Sequence, residues 1–312
     1  MKKIAFLFPG QGSQSVGMGL DFYEEFTFVK DLFEMASDIC KINISKLCFK
    51  GPMEDLTATV NLQPSITAVN LSCLLAVERE GIKSFFSAGH SLGEYSALCA
   101  AGIFSKESAL GLVFKRGELM HREAIKHKGA MHAIVGLNIE EIEQIIADVK
   151  GGDVVSVANH NTKTQIVITG KPDAVVRVSI AASAKGAKSV PLKVSGAWHS
   201  ELIRGAEKEF NECLESASFS KPETPVIHNV TADISQDSSE IRTLMGKQLC
   251  SPVKWFDSMC KLIDEQVEIF AEIGPGTVLT GLLKKILPKD YPCKIYAINS
   301  LKSYDNFVKE VK

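Results

Sequence analysis

The stretch Gly89-His90-Ser91-Leu92-Gly93 constrains the fold of this chain more than any other feature. It follows an apolar-rich segment, residues 82–88, and precedes residues 94–101, which have the composition of a helix. This order predicts a strand, a sharp turn that needs glycine on both sides, and a helix whose N-terminus presents the serine hydroxyl. Free N–H groups at such a helix start could stabilise an oxyanion. The same residues also suit a serine that caps the helix between incidental glycines, so the motif alone leaves a structural role open.

The composition predicts a globular, soluble protein with a large core. The 312 residues are 45% hydrophobic and 23% charged, and the formal net charge of -2 gives no reason to expect nucleic acid or a membrane as a partner. Eight scattered cysteines without a C-x-x-C pair indicate reduced thiols in the cytoplasm. The apolar run Ile4–Phe8 stops at Pro9-Gly10, too early for a signal peptide, and is interpreted as the first buried strand. No H-E-x-x-H or P-loop motif is present, and we expect no metal.

The order of predicted elements indicates two structural units. The outer segments alternate strands and helices, which predicts a parallel sheet covered on both faces. Residues 129–194 instead follow the order βαββαβ of a ferredoxin-like unit. We therefore predict an α/β fold in which a large domain, residues 1–128 plus 195–312, carries an inserted subdomain, residues 129–194. Periodicity predicts helices over residues 21–41, 64–80 and 201–216, and a long helix to about residue 125 that Ser105 caps.

A serine nucleophile needs a base within hydrogen-bond reach, and seven histidines are available. His90 adjoins Ser91, but neighbouring side chains on a tight turn point apart. His199 follows a predicted strand and ends a loop before a helix, where α/β folds build sites, although an exposed loop histidine is the simpler alternative. The insertion occupies most of the interval in which a hydrolase triad would place its acid. No Asp-Gly pair supports a patatin-like dyad. A serine–histidine pair with the imidazole held by a main-chain carbonyl remains.

Four polar residues are candidates for binding, and each is a weak signal alone. Arg116 lies in the helix after Ser105, where a solvated helix charge is the ordinary interpretation. Gln11, Gln63 and Gln248 stand beside glycine or apolar residues.

Motifs of one family occur in order along the whole chain. They are Pro9-Gly10-Gln11-Gly12-Ser13-Gln14, Gln63-Pro64, Gly89-His90-Ser91-Leu92-Gly93-Glu94-Tyr95-Ser96-Ala97-Leu98, Lys115-Arg116-Gly117-Glu118-Leu119-Met120, the loop at His199, Gln248-Leu249 before Pro252-Val253, and Glu272-Ile273-Gly274-Pro275-Gly276. On these motifs the chain resembles the malonyl-CoA:acyl-carrier-protein transacylase family. The resemblance implies an α/β-hydrolase-like domain with a ferredoxin-like insertion. It also implies transfer of malonyl from malonyl-CoA to the phosphopantetheine thiol of acyl carrier protein through a malonyl-serine intermediate.

The resemblance implies a role for each catalytic candidate. Ser91 corresponds to the nucleophile that becomes malonylated, and His199 to the general base and acid. The main-chain N–H groups of Gln11 and Leu92 correspond to the oxyanion hole. Arg116 corresponds to the arginine that binds the malonyl carboxylate.

Three further residues are implied around these groups. Gln248 marks the segment whose main-chain carbonyl orients the histidine, and Gln63 lines the pocket. Trp198 stands where phenylalanine or serine is more frequent in the family. Its bulk, with Leu92 after the nucleophile, implies a narrow pocket for unbranched malonyl.

The resemblance leaves the pathway open, because fatty-acid and polyketide enzymes of this kind keep the same site. Malonyl-CoA and acyl carrier protein are the expected partners of a monomer, and the coenzyme A thioester is a substrate, with no cofactor expected. Two other functions stay open: an acyl hydrolase of the same fold that acts on acyl-carrier proteins, and a catalytically silent module that only binds the carrier. Because the base must be neutral, acylation is expected to fall below about pH 6.5.

Overall fold

The computed structural model describes residues 2–312, in which helices flank two separate β-sheets. The strands are β1 Ile4–Phe8, β2 Phe86–Gly89, β3 Ala130–Val135, β4 Val155–Thr162, β5 Gln165–Gly170, β6 Lys188–Pro191, β7 Val226–Ile227, β8 Ile269–Ile273 and β9 Lys294–Ile298. The α-helices are α1 Leu20–Glu25, α2 Thr27–Cys40, α3 Ile44–Lys50, α4 Met53–Thr57, α5 Thr59–Arg79, α6 Gly93–Ala100, α7 Lys106–Lys126, α8 Ile139–Val149, α9 Pro172–Ala184, α10 Glu207–Ser216, α11 Ser238–Lys247, α12 Trp255–Asp264, α13 Val278–Ile286 and α14 Leu301–Val311. Two short 3-10 helices span Glu201–Ala206 and Gln248–Cys250, and the first replaces the start of the helix predicted over 201–216.

The larger sheet has five parallel strands in the order β7-β2-β1-β8-β9. Every residue of β1, β2 and β8 is buried, as expected for strands that helices cover on both faces. Parallel strands end at the same edge of a sheet, so the loops after β1, β2 and β7 lie side by side. Those loops carry Gln11, Ser91 and Asn229.

The smaller sheet is antiparallel, in the order β4-β5-β3-β6, and it packs with α8 and α9 around a hydrophobic cluster of its own. It occupies residues 130–191 in the order βαββαβ. The predicted α/β class, a parallel sheet with a separate small antiparallel one, is therefore confirmed. β4 also touches the larger unit, because the His160 N–H donates to the Val253 carbonyl (2.9 Å) and the Val253 N–H to the Ala158 carbonyl (2.8 Å).

Some predicted helix bounds were wrong, while one cap was confirmed. Residues 21–41 form two helices, separated at Phe26, whose backbone is extended at φ -111° and ψ 122°. Helix α5 begins at Thr59 and runs through Pro64, where the sequence predicted the start. Ser105 caps α7 as predicted, because its side chain accepts from the main-chain N–H three residues on.

Among residues 2–312, one helix has the length and composition of a membrane span. It is α5, with a mean hydropathy of 1.3 over its most apolar window. In the structure 83% of that window is buried inside the protein, where α5 packs as a core helix.

Candidate active site

Ser91 lies on a sharp turn between β2 and α6. Its φ of 50° is a left-handed value that is uncommon outside glycine. The flanking glycines permit the turn, because a Cβ on Gly89 would overlap the main chain of Gly93, and a Cβ on Gly93 would overlap the carbonyl of Phe8. Helix α6 has no side-chain cap, so the serine does not act as the plain N-cap that the motif left open. The predicted strand, turn and helix are present.

The His199 imidazole lies directly against this serine. Its Nε2 is 2.7 Å from the Ser91 Oγ, and its Nδ1 is 3.0 Å from the main-chain oxygens of both Gln248 and Ser251. A carbonyl only accepts, so Nδ1 donates to these oxygens and Nε2 accepts from the serine hydroxyl. The Gln248 segment thus has the geometry predicted for it, and the Ser251 carbonyl is an addition. At 4% exposure, His199 is not the exposed loop histidine considered as the alternative.

The surroundings of His199 keep its imidazole neutral. Burial, and then the positive charge of Arg116, lower the pKa of His199 from 6.5 to about 3. The sequence-based expectation that acylation falls below about pH 6.5 assumed an ordinary imidazole. The lowered pKa instead predicts that acylation persists below pH 6.5, because a buried base beside a cation stays neutral at lower pH.

Arg116 is a buried cation whose guanidinium reaches the Ser91 hydroxyl. Its Nη2 donates to the Ser91 Oγ at 3.1 Å and to the Gln248 Oε1 at 3.2 Å, and its Nη1 donates to the Gln63 Oε1 at 2.9 Å. The side chain is 1% exposed, so it is not the solvated helix charge of the ordinary interpretation. Within residues 2–312 it has no carboxylate partner at ion-pair distance. A desolvated guanidinium whose hydrogen-bond partners are neutral suits an incoming carboxylate.

The three groups open onto a cavity of about 90 Å³. Its apolar wall consists of Leu92, Met120, Met131, Leu192, Val194 and Trp198. A neighbouring cleft of about 420 Å³ shares five lining residues with it: Gln11, His90, Asn159, Leu192 and Val194. The small cavity volume and the indole of Trp198 agree with the narrow pocket that the sequence predicted.

The two predicted oxyanion-hole residues line the same cavity as Ser91. Gln11 follows β1, and Leu92 directly follows the nucleophile. Neither main-chain N–H has a main-chain acceptor in the part of the chain that the structure describes. Both are therefore available to a developing negative charge on a thioester oxygen.

Sequence reasoning missed a layer of buried polar residues beneath the turn. The Asn229 Oδ1 accepts from the Ser91 N–H at 2.7 Å, and its Nδ2 donates to the Gly89 carbonyl at 2.7 Å. The Glu94 carboxylate accepts from the Gln248 Nε2 at 2.6 Å. The available signals were weak: Asn229 follows a very short strand, and Glu94 is one acid in a first helical turn.

Other groups near the site are engaged elsewhere. The His90 Nε2 lies 2.8 Å from the Asn161 Oδ1, and its ring centroid lies 5.4 Å from that of Trp255, so His90 turns away from the serine hydroxyl as predicted. Residues 2–312 contain no group of three or more His, Cys, Asp or Glu side chains placed to hold a metal ion.

Fold and site together define a class, the enzymes that transfer acyl groups through a serine nucleophile. A sequence model of the family described as "Acyl transferase domain" matches residues 5–302. The chain belongs to this family.

Known proteins of high similarity cover nearly all of the chain. The malonyl CoA-acyl carrier protein transacylase of Bacillus subtilis (strain 168) is 44% identical over 288 residues, 92% of this chain and 91% of that protein. The polyketide biosynthesis malonyl CoA-acyl carrier protein transacylase PksC of the same organism is 40% identical over 91% of this chain and 96% of its own length. A malonyl-transacylase solved in complex with its type II polyketide acyl-carrier protein superposes with a TM-score of 0.94 at 37% identity, covering 99% of this chain and 100% of that one.

Proposed function

We propose that this protein transfers the malonyl group from malonyl-CoA to the phosphopantetheine thiol of an acyl carrier protein through a malonyl-serine intermediate. One observation carries the proposal: the Ser91 Oγ lies 2.7 Å from the His199 Nε2 and 3.1 Å from the Arg116 Nη2. A nucleophile, its base and a buried cation are the groups needed to accept the acyl part of a dicarboxylic monothioester. Relatives named malonyl CoA-acyl carrier protein transacylase, at 37% to 44% identity, support the same substrate pair.

The first half-reaction acylates the serine. As the Ser91 Oγ forms a bond to the thioester carbonyl carbon, the His199 Nε2 takes the hydroxyl proton. The N–H groups of Gln11 and Leu92 donate to the carbonyl oxygen while it carries negative charge. The tetrahedral species then loses its C–S bond, and the sulfur leaves as the coenzyme A thiol with the proton that His199 held.

The second half-reaction reverses these steps with a different thiol. Once coenzyme A has left, the phosphopantetheine thiol of the carrier protein gives its proton to His199 and attacks the malonyl-serine. The ester C–O bond breaks, and the Ser91 oxygen recovers the proton. Two half-reactions that share one acyl-enzyme produce ping-pong kinetics.

Arg116 supplies the choice of acyl group in this mechanism. A malonyl carboxylate lies one methylene beyond the carbonyl that Ser91 attacks, and Arg116 Nη2 is within hydrogen-bond distance of the Ser91 Oγ. The guanidinium fork can therefore bind both carboxylate oxygens while the thioester is at the nucleophile. Gln63 and Gln248 hold the fork in place through their side-chain oxygens.

The partners follow from the same proposal. The solved complex of a similar malonyl-transacylase with its carrier protein supports an acyl carrier protein as the second substrate. One relative is named for polyketide biosynthesis and another carries no pathway in its name, so either fatty-acid or polyketide synthesis stays open as the destination. Because Ser91, His199 and Arg116 all come from one chain, we propose a monomer. We also propose a cytoplasmic location and a reaction in which no step passes through a cofactor.

The test is incubation with malonyl-CoA, followed by intact-mass measurement of the protein. We expect a covalent malonyl adduct on the wild type and none on Ser91→Ala. Addition of phosphopantetheinylated carrier proteins from fatty-acid and polyketide pathways should then clear the adduct and move the malonyl mass onto the cognate carrier.

Other outcomes separate the remaining functions. Steady release of free malonate without transfer to any carrier would identify an acyl hydrolase. Carrier binding without an adduct on Ser91 would identify a silent module. Either result would overturn the proposed transfer reaction.

A further inference from the structure

One buried carboxylate connects the groups of the site without lining the cavity. Glu94, the second residue of α6, is 1% exposed. Its Oε1 lies 2.8 Å from the His228 Nδ1, and its Oε2 accepts from the Asn229 N–H at 3.3 Å and from the Gln248 Nε2 at 2.6 Å. A carboxylate this deep is costly to bury unless its hydrogen bonds are made, so this arrangement is held tightly.

Through Gln248, Glu94 is connected to Ser91, Arg116 and His199. The Gln248 Nε2 that binds Glu94 also donates to the Ser91 carbonyl at 3.0 Å. Its Oε1 accepts from the Arg116 Nη2 at 3.2 Å, and its main-chain oxygen accepts from the His199 Nδ1 at 3.0 Å. A rotation of the Gln248 amide would therefore displace the Arg116 guanidinium. This guanidinium, which is proposed to bind the malonyl carboxylate, is called the Arg116 clamp below.

Through Asn229, Glu94 also supports the turn itself. The Asn229 side chain binds the main chain of both Ser91 and Gly89 at 2.7 Å. The Asn229 main-chain N–H is held by Glu94 at 3.3 Å. The Ser91 backbone, through Asn229, and the Arg116 clamp, through Gln248, thus depend on the same Glu94 carboxylate.

We propose that Glu94 is a positioning residue for acyl transfer, which fixes Gln248 and Asn229 and through them the Arg116 clamp and the Ser91 turn. The inference rests on the proposed malonyl transfer and names a further residue that determines its specificity.

The test compares Glu94→Ala with Glu94→Gln in single-turnover acylation by malonyl-CoA and by acetyl-CoA, read by intact mass. In Glu94→Ala we expect the malonyl rate constant to fall by about 10- to 100-fold, because small misplacements of catalytic groups have effects of that size. The preference for malonyl over acetyl should fall at least about fivefold, because the clamp loses its fixed geometry. The Gln variant keeps one oxygen that can accept from Asn229 and Gln248. Its amide N–H can donate to the His228 Nδ1 when the ring proton is on Nε2. We therefore expect its malonyl rate constant to stay within about threefold of the wild-type value.

The matched control is another buried carboxylate that lines neither the cavity nor the neighbouring cleft. Glu272 is 0% exposed and accepts from the N–H groups of Leu279 and Thr280 at 2.9 and 2.7 Å. We expect Glu272→Gln to lower the melting temperature and leave the malonyl preference unchanged. If Glu94 had only a structural role, Glu94→Ala would likewise lower the melting temperature and leave the malonyl preference unchanged. The single-turnover rate constant does not depend on the folded fraction, which the adduct amplitude reports separately.

Each outcome decides one question. An unchanged malonyl preference in Glu94→Ala, or a Gln variant no better than the Ala variant, overturns the positioning role. If Glu94→Ala does not fold, Glu94→Asp replaces it, because its shorter carboxylate cannot reach both Asn229 and Gln248. Failure of the wild type to form a malonyl adduct overturns the proposed function instead.

Discussion

Removal of the Arg116 guanidinium tests the specificity mechanism most directly. The side chain is buried and has only neutral hydrogen-bond partners, so its contact with a substrate carboxylate is not screened by water. A bidentate, charge-assisted contact of this kind contributes about 1.5–3 kcal/mol. We therefore expect Arg116→Ala to reduce the preference for malonyl over acetyl by about 10- to 100-fold.

The ratio of the two acylation rates is the quantity to measure. Loss of Arg116 also leaves the oxygens of Gln63 and Gln248 without a donor and removes a donor from the Ser91 Oγ. Those costs apply to both thioesters, so they cancel in the ratio, and the part due to the carboxylate remains. Arg116→Met, which keeps much of the volume, checks that a collapsed cavity does not cause the effect.

The control and the refutation use the same assay. Arg122 lies on the same helix at the surface and pairs with Glu209, so Arg122→Ala should leave the ratio unchanged. If Arg116→Ala and Arg116→Met discriminate malonyl from acetyl as well as the wild type does, the carboxylate is bound elsewhere and the reasoning is refuted.

Three further predictions concern the base, the turn and its support. The acylation rate should stay constant from about pH 8 to about pH 5. The pKa of His199 is lowered to about 3, so the base stays neutral until the pH falls towards that value. A tenfold fall in the rate by about pH 5.5 would indicate an ordinary imidazole. Gly93→Ala should lower the free energy of unfolding by more than about 4 kcal/mol, because its Cβ has no room, whereas Gly111→Ala, with open space in α7, should raise it by about 0.5–1 kcal/mol in the same urea titration. Asn229→Ala leaves the Ser91 N–H without its acceptor and should cost about 1–3 kcal/mol in unfolding and slow acylation; an unchanged acylation rate would show that the turn holds by itself.

Short-range rules in the sequence predicted much of the local structure. The glycines around Ser91 enforce the turn by steric contact with their near neighbours, and Ser105 caps α7 by a bond to an N–H three residues on. Strand and helix order over residues 130–191 followed from periodicity. Where prediction failed, as at Phe26, neither glycine nor proline marked the break between helices.

The parts of the site that the sequence did not predict depend on contacts between residues far apart in the chain. Asn229 meets the Ser91 main chain across 138 positions of the chain, and Gln248 meets Glu94 across 154. The Ser251 carbonyl carries no sequence signal, because every residue has the same main-chain oxygen. Only the assembled tertiary fold brings these segments together.

From the order of its residues alone, the chain determined the turn that carries Ser91 and the helix behind it, since local sterics depend on neighbouring residues. The tertiary structure decided which of seven histidines lies against Ser91, that Arg116 is desolvated, and that burial and Arg116 lower the pKa of the imidazole. Burial and the charges around a group are properties of the assembled core, because they depend on residues that are distant in the chain.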